Sequence, residues 1–136
     1  MRAEIALHRQ RPIPAADVVR LYREVAWWPE RAEATVAAAL GSSSAVGAWD
    51  GERLVGFARA VSDGAFRAFV EDVVVSGSHR RRGIASALVA ALLDELAGVD
   101  VITTFCDEAI VSLYEIAGCR RSRQAVLHLR TADRDA

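Results

Sequence analysis

The sequence has no long apolar run, and no segment approaches the ~20 apolar residues that a helix needs to cross a bilayer. The N-terminal stretch MRAEIALHRQ carries charges where an export signal needs an uninterrupted apolar region. The net charge is only −1, so no long-range attraction to nucleic acid or to an anionic membrane is expected. These absences predict a cytoplasmic protein with no nucleic-acid partner and no membrane partner.

Cysteine is scarce as well. Cys106 and Cys119 fit no CxxC spacing and no Cys/His metal pattern, so two reduced thiols and no metal site are expected. Stability must then come from a hydrophobic core, and 136 residues, 52% of them hydrophobic, are enough for one domain. We predict that residues 1–130 form this domain and that residues 131–136 are a flexible tail.

The order of the periodic segments predicts a mixed sheet covered by helices. A short strand near Ile5 precedes two helices, at about 14–25 and 30–40. Later strands are predicted at 45–49, 54–61, 66–75, 101–105 and 120–129, and later helices at 84–97 and 107–117. The order β-α-α-β-β-β-α-β-α-β indicates an α/β (α+β) domain with helices on both faces of the sheet. The valine-rich end of strand 66–75 and the short strand 101–105 are expected to be buried, and these two strands should run parallel.

The clearest chemical signal lies where strand 66–75 runs into helix 84–97. The junction reads Val73-Val74-Val75-Ser76-Gly77-Ser78-His79-Arg80-Arg81-Arg82-Gly83-Ile84-Ala85. The first turn of a helix has free N–H groups and a partial positive charge, so a phosphate or diphosphate fits there. Gly83 would let the backbone approach the anion, and Ala85 is small for the same reason. Three arginines on a loop, taken alone, more often form a solvated charge run.

Other anion-binding explanations of this junction are weaker. The sequence has no GK[ST] ending of a nucleotide-hydrolysing P-loop and no complete GxGxxG of a dinucleotide fold. A nucleic-acid site at residues 79–82 is disfavoured, because no basic or aromatic surface extends it.

Two motifs carry a resemblance to a known family. Arg80-x-x-Gly83-x-Ala85 resembles the Gln/Arg-x-x-Gly-x-Gly/Ala motif of the GNAT (GCN5-related N-acetyltransferase) superfamily. About thirty residues later, an apolar helix with the step Leu113-Tyr114-Glu115 is similar to the superfamily's second signature. The predicted strand order agrees along nearly the whole chain. The chain departs from the pattern at Gly77, which replaces a common proline, and at Cys119, which replaces the usual phenylalanine.

The resemblance implies a cofactor, acetyl-CoA, held in a gap between strands 66–75 and 101–105. Its pantetheine arm would bind main-chain groups of the first strand, and its diphosphate would lie on the helix N-terminus. The residues implied to hold the cofactor are Val73, Val75, Arg80, Arg81, Arg82, Gly83, Ile84, Ala85, Ser86 and Asp107. Asp107 stands where many members have asparagine, so it either contacts the cofactor less well or only caps the next helix.

The resemblance also implies a direct attack of a neutral amine on the thioester, with Tyr114 as general acid. Proton transfer from a phenol of pKa about 10 to a thiolate of about 8.5 is uphill by roughly 2 kcal/mol. Tyr114 could instead be an ordinary core aromatic. Glu71 and Asp72 are weak candidates for the base; since neighbouring strand residues face opposite sides, at most one is expected to face the acceptor. A water chain is an equal alternative.

The acceptor is expected between the first two helices, where Trp27 and Trp28 lie near Tyr22 and Glu24. An aromatic pair beside an acid suits a cationic or aromatic amine, so a small-molecule amine is predicted. Core packing of at least one tryptophan is the favoured alternative. At the level of function, the alternative is a non-catalytic sensor module that binds acyl-CoA. Homodimers are common in the superfamily, and the residues indicate no particular mode.

Overall fold

A computed structural model describes residues 2–135; Met1 and Ala136, the outer ends of the predicted domain and tail, lie outside the described residues. The strands are β1 (Glu4–Leu7), β2 (Ser44–Asp50), β3 (Arg53–Ser62), β4 (Arg67–Val75) and β5 (Val101–Thr104). The helices are α1 (Ala15–Glu24), α2 (Glu33–Gly41), α3 (Ile84–Glu95) and α4 (Val111–Ile116). Short 3-10 helices cover Gly77–His79, Glu108–Ile110 and Thr131–Asp135.

The five strands form one mixed sheet in the order β1-β2-β3-β4-β5. Neighbours are antiparallel except for β4 and β5, which are parallel, as expected for strands joined through a helix. The predicted mixed α/β architecture is therefore confirmed. Within residues 2–135, no helix is both long and apolar enough to cross a bilayer.

Two hydrophobic clusters, one on each face of the sheet, hold the helices in place. On one face, α1 packs with Leu21 and Val18 against Phe57 and Leu54 of β3, and α2 adds Val36 and Leu40 to the same cluster. On the other face α3 packs on the sheet, and a Cβ at Gly56 would lie 3.1 Å from Ile84 and Leu88. Glycine at this position thus lets α3 approach the sheet closely, and burial of each leucine contributes about 1.5–3 kcal/mol.

The prediction of a last strand at residues 120–129 is wrong. This segment pairs with no strand, and Val126, Leu127 and Leu129 are exposed. A segment rich in apolar and β-branched residues forms a strand only where another strand is available to pair with it. Without that neighbour β5 is the edge of the sheet, and it is half-exposed rather than buried as expected, with Val101 41% exposed. In the predicted tail, Thr131–Asp135 forms a short helix, and its flexibility stays a prediction.

Candidate functional site: two adjoining clefts

The parallel strands β4 and β5 separate halfway along β4. Their pairing runs from Arg67 with Val101 to Val70 with Thr104 and ends there. Beyond this point β4 continues to Val75 with a partner only on its β3 side. The β5 side of residues 71–75 therefore offers backbone groups to an extended ligand, as an additional strand would use them.

A β-bulge lies at the point of separation. Phe57 of β3 is opposite Val74, whereas Arg59 is opposite Glu71, so β4 has one extra residue between these pairs. Asp72 has a φ of 57°, in the left-handed region that a non-glycine residue rarely adopts. The bulge turns both Glu71 and Asp72 toward one guanidinium. Nη2 of Arg59 donates to Glu71 at 2.9 Å, and its Nε donates to Asp72 at 2.8 Å. The expectation that these two carboxylates face opposite sides is wrong, because the regular alternation of side chains fails at a bulge.

The Asp72 carboxylate is buried, and one of its oxygens accepts three hydrogen bonds. Its Oδ2 accepts hydrogen bonds from the Tyr22 hydroxyl at 2.9 Å, from Arg31 Nη1 at 2.9 Å and from Arg59 Nε at 2.8 Å. Burial, and then the nearby charge of Asp72, raise the pKa of Tyr22. Asp72 and Tyr22 therefore hold α1 and the bulge together. Glu71, in contrast, is tied only to Arg59 and remains partly exposed.

The first cleft, here called the Tyr114 cleft, has a volume of about 650 Å³. It is lined by Ala26, Trp27, Trp28, Phe69, Val70, Glu71, Asp72, Val73, Thr104, Phe105, Cys106, Asp107, Ile110, Tyr114 and His128. Most of this lining is aromatic or aliphatic. The acidic residues of the lining are Glu71, Asp72 and Asp107. A cleft of this composition suits a ligand with an apolar body and a positive group.

Tyr114 lies in α4 and is only 6% exposed, with its ring forming part of this cleft. Burial raises the pKa of Tyr114, and the neighbouring Thr104 hydroxyl partly offsets the rise. The phenol is therefore protonated at neutral pH and available as a proton donor. Burial and the charges of Glu108 and Asp107 raise the pKa of Cys106, so its thiol is also protonated and is a poor nucleophile.

The second cleft, here called the Gly83 cleft, has a volume of about 480 Å³ and surrounds the N-terminus of α3. Its lining is Val25, Trp27, Val73, Val74, Val75, His79, Arg80, Arg81, Gly83, Ile84, Ala85, Ser86, Ile110 and Leu113. Gly83 caps α3 with a φ of 77°, and a Cβ there would have no heavy atom within 4 Å. The backbone conformation thus favours glycine, and the space beside it is open.

The Gly83 cleft is positively charged. Arg80 and Arg81 line it, and neither has a carboxylate partner within residues 2–135. Arg82 is exposed and lies outside the lining. Free N–H groups and the helix dipole add to this charge, so the cleft can bind an anion such as a diphosphate.

Trp27, Val73 and Ile110 line both clefts and mark where they meet. Trp27 is 41% exposed, Trp28 is partly buried, and neither belongs to a hydrophobic core cluster. The interpretation of at least one tryptophan as core packing is therefore wrong. The backbone beside Trp27 has left the helical conformation, with positive φ values of 59° at Ala26 and 47° at Trp28.

The structure brings most of the predicted site residues into the two clefts, but the acids near the tryptophans differ from those expected. Glu24 accepts a hydrogen bond from the Gly77 N–H at 3.0 Å and lies outside both clefts. Asp107 lines the Tyr114 cleft, and as the N-cap of a 3-10 helix it makes no side-chain capping hydrogen bond. Phe69, Phe105 and His128 were missed, because nothing in their local sequence distinguishes them from ordinary apolar or surface positions.

The two clefts adjoin, one suited to an anion and the other apolar with a protonated phenol. Together they can hold an extended ligand with a phosphate head and place its other end near Tyr114. No group of three or more His, Cys, Asp or Glu side chains in the described part of the chain is arranged to hold a metal ion.

Comparison with known proteins identifies relatives of this chain. The sequence model described as the acetyltransferase (GNAT) family matches residues 7–118. The histone acetyltransferase TAP1 of Glycine max is 34% identical over 105 residues, which cover 67% of this chain and 46% of that protein. The chain thus spans less than half the length of the curated soybean relatives that it matches.

Solved structures agree in fold. A protein of methicillin-resistant Staphylococcus aureus superimposes with a TM-score of 0.81, covering 94% of this chain and 98% of that one at 16% identity. A GNAT-family acetyltransferase of Streptococcus pneumoniae TIGR4 has a TM-score of 0.79 and 26% identity, with 95% and 98% coverage. At 16% identity the first likeness concerns the fold alone.

Proposed function

Since the chain belongs to the acetyltransferase (GNAT) family, we propose that it is an N-acetyltransferase that moves an acetyl group from acetyl-CoA to a primary amine of a small molecule. One observation carries the proposal: a positively charged cleft at the start of α3 adjoins, at Val73, an apolar cleft that is lined by Tyr114. The two ends match the two parts of the reaction, a phosphate-bearing donor and an amine acceptor.

Acetyl-CoA fits the residues present. The N–H groups of residues 83–86 and the side chains of Arg80 and Arg81 bind its diphosphate, and the unpaired edge of β4 at Val73 and Val75 binds its amide-bearing arm. Arg82 contributes charge from outside the cleft. The cofactor supplies the acetyl thioester, and the chain supplies binding, orientation and proton transfer.

Tyr114 is the proton donor for the departing sulfur. A phenol at its ordinary pKa is already weaker than a thiol by about 2 kcal/mol, and burial raises the pKa of Tyr114 further. Complete transfer before bond cleavage is therefore unfavourable. The proton moves as the C–S bond breaks, when negative charge on sulfur strengthens the hydrogen bond.

Glu71 is the better of the two predicted bases. Oδ2 of Asp72 already accepts three hydrogen bonds, so this carboxylate is structural. Glu71 lines the Tyr114 cleft, and within residues 2–135 its side chain is bonded to Arg59 alone. It receives, directly or through water, the proton that the acceptor's ammonium group must lose before the neutral amine attacks the thioester.

The acceptor is a small amine with an aromatic or apolar body. Aromatic walls at Trp27, Trp28, Phe69 and Phe105 accommodate the body, and the carboxylates Glu71 and Asp107 attract the ammonium group. A protein terminus or side chain is the competing acceptor, and it is included in the test below.

The test measures thiol release from acetyl-CoA against a panel of small amines and lysine-containing peptides. Wild-type protein is expected to release thiol with at least one arylalkylamine, and Tyr114→Phe is expected to lower kcat while CoA binding stays near normal. An unchanged kcat would remove Tyr114 from the mechanism. CoA binding without thiol release for any amine would refute the enzyme and support a sensor module.

We further propose a homodimer formed by the open edge of β5 and residues 120–129. β5 has a neighbour on one side only, and the segment exposes apolar side chains. The two surfaces have opposite charge: Arg120 and Arg123 lie in the segment, Asp100 and Asp107 flank β5, and no ion pair within the described residues involves any of the four. A two-fold axis lets each surface meet the other. The cytoplasmic location stays a prediction.

A further inference from the structure

Arg31 is fixed against the ring of Trp28. Its Nη1 donates to Asp72 Oδ2 at 2.9 Å, and its guanidinium carbon lies 4.2 Å from the centroid of the Trp28 ring. The backbone N–H of Arg31 also donates to the Trp28 carbonyl at 3.0 Å, although Trp28 has a φ of 47°. A left-handed conformation is unfavourable for a bulky residue. These contacts therefore hold the tryptophan in a conformation that it would not adopt by itself.

A cation thus covers one face of the Trp28 ring. The ring lines the Tyr114 cleft, whereas Arg31 belongs to the lining of neither cleft. A ligand that stacks on Trp28 from the cleft therefore meets the face opposite to the guanidinium. A neutral aromatic ring can occupy that face. A second cation there would be attracted by the ring but repelled by Arg31 on the other side.

The carboxylates near Arg31 offset only part of its charge. Asp72 Oδ2 also accepts from Arg59 Nε at 2.8 Å, so one negative charge is shared between two guanidinium groups. Glu71 is bonded to Arg59 instead. A cation stacked on the cleft side would lie about 8 Å from Arg31, where repulsion between full unit charges corresponds to roughly thirtyfold in affinity. With half of the Arg31 charge offset, about fivefold remains.

We propose that Arg31 determines the acceptor specificity of the Tyr114 cleft, by making Trp28 a stacking surface for a neutral aromatic ring and directing positive charge away from it, toward Glu71 and Asp107. The inference rests on the proposed function for the identity of the ligand, an amine acceptor. It narrows the acceptor class to arylalkylamines whose single positive charge is the reacting ammonium group. Amines with a second cation in the body of the molecule are disfavoured.

Two acceptors of the same shape test this inference. The first is para-methylphenethylamine, and the second is its N-methylpyridinium isostere, in which a positively charged ring nitrogen replaces the carbon that bears the methyl group. Calorimetry on the full chain in the presence of CoA gives the affinity for each. Wild-type protein is expected to bind the neutral ring at least about fivefold more tightly than the charged ring.

Variants assign this preference to Arg31. Arg31→Gln keeps an N–H donor for Asp72 but removes the charge from the ring face, so the affinity ratio of the two probes should fall to about one or below. A purely structural role would weaken both probes by the same factor and leave the ratio unchanged. Arg11→Gln is the matched control. Arg11 lies 4.0 Å from the ring centroid of Trp49, and neither residue lines a cleft, so its ratio should equal that of the wild type.

The outcomes separate this inference from the proposed function. Equal affinity of the wild type for the two probes, binding of neither probe, or an unchanged ratio in Arg31→Gln overturns the inference, while thiol release with any small amine leaves the proposed function standing. A ratio lost in Arg31→Gln and kept in Arg11→Gln, without thiol release for any amine, supports the role of Arg31 and refutes the enzyme.

A second variant covers the case in which Arg31→Gln does not fold. Trp28→Leu, at a partly buried position outside both core clusters, should bind para-methylphenethylamine at least about fivefold more weakly than the wild type. Unchanged affinity in this variant overturns the inference by itself.

Discussion

The loop that begins α3 depends on the backbone conformation of Gly83, and one added methyl group tests it. Gly83 has a φ of 77°, and a Cβ there would meet no heavy atom within 4 Å. Gly83→Ala therefore introduces no clash, and its whole cost is that of a left-handed conformation, about 1–2 kcal/mol. For a domain of this size, we expect the midpoint of thermal unfolding to fall by about 3–8 °C.

Urea denaturation measures the loss, and two variants separate its causes. Gly98→Ala is the control, because it also meets open space but has no positive φ, and it should change stability by less than about 0.5 kcal/mol. Gly83→Asn tolerates the left-handed region, so it should retain more stability than the alanine variant while its side chain enters the cleft and weakens CoA binding. If Gly83→Ala proves as stable as Gly98→Ala, the assigned loop geometry is refuted.

Three further predictions follow from the site and the sheet. Asp72→Ala should lower the free energy of unfolding by about 3 kcal/mol, because it removes the buried carboxylate that accepts from the Tyr22 hydroxyl, Arg31 Nη1 and Arg59 Nε, whereas Glu71→Ala should cost less than about 1 kcal/mol; equal losses in urea denaturation would contradict the structural role. Tyr114 is active only when protonated, and burial raises its pKa, so the pH profile of kcat should show no alkaline fall below pH about 10; a fall between pH 8 and 9.5 points to another donor. Leu127→Asp should yield monomers in light scattering, with Val61→Asp, an exposed apolar position on β3, as a dimeric control; a monomeric wild type would refute the dimer.

Elements whose cause is local could be predicted from the sequence. Helix α3 has apolar residues at every fourth position, and it was predicted at 84–97 and observed at Ile84–Glu95. Strand β4, predicted at 66–75, was observed at Arg67–Val75. In both segments the apolar side chains that define the sequence pattern face a core. The pattern therefore predicts both the element and its buried side. The position of the loop between these two elements could be predicted for the same reason, and its binding of an anion stays a proposal.

Features that depend on distant contacts could not be predicted. The bulge at Asp72 is held by Tyr22, Arg31 and Arg59, which lie on other elements, and no residue beside Asp72 signals it. The strand-like composition of residues 120–129 says nothing about whether a neighbouring edge is available to it. Trp27 and Trp28 look like core residues in any local window, but Arg31, bound to Asp72, lies 4.2 Å from the Trp28 ring centroid and holds it beside the cleft.

The extra residue at the bulge divides β4 into two halves, and the alternation of side chains between the two faces of the sheet is shifted by one residue from one half to the other. Ala68 and Val70 face α3 from even-numbered positions, whereas Val73 and Val75 face it from odd-numbered ones. Deleting one residue at the bulge would restore regular alternation and rotate either half by 180°, exchanging its buried and outward surfaces. Single-residue insertions and deletions near position 72 are therefore far more damaging than substitutions there, and an engineer who grafts this strand must move both halves together with the bulge.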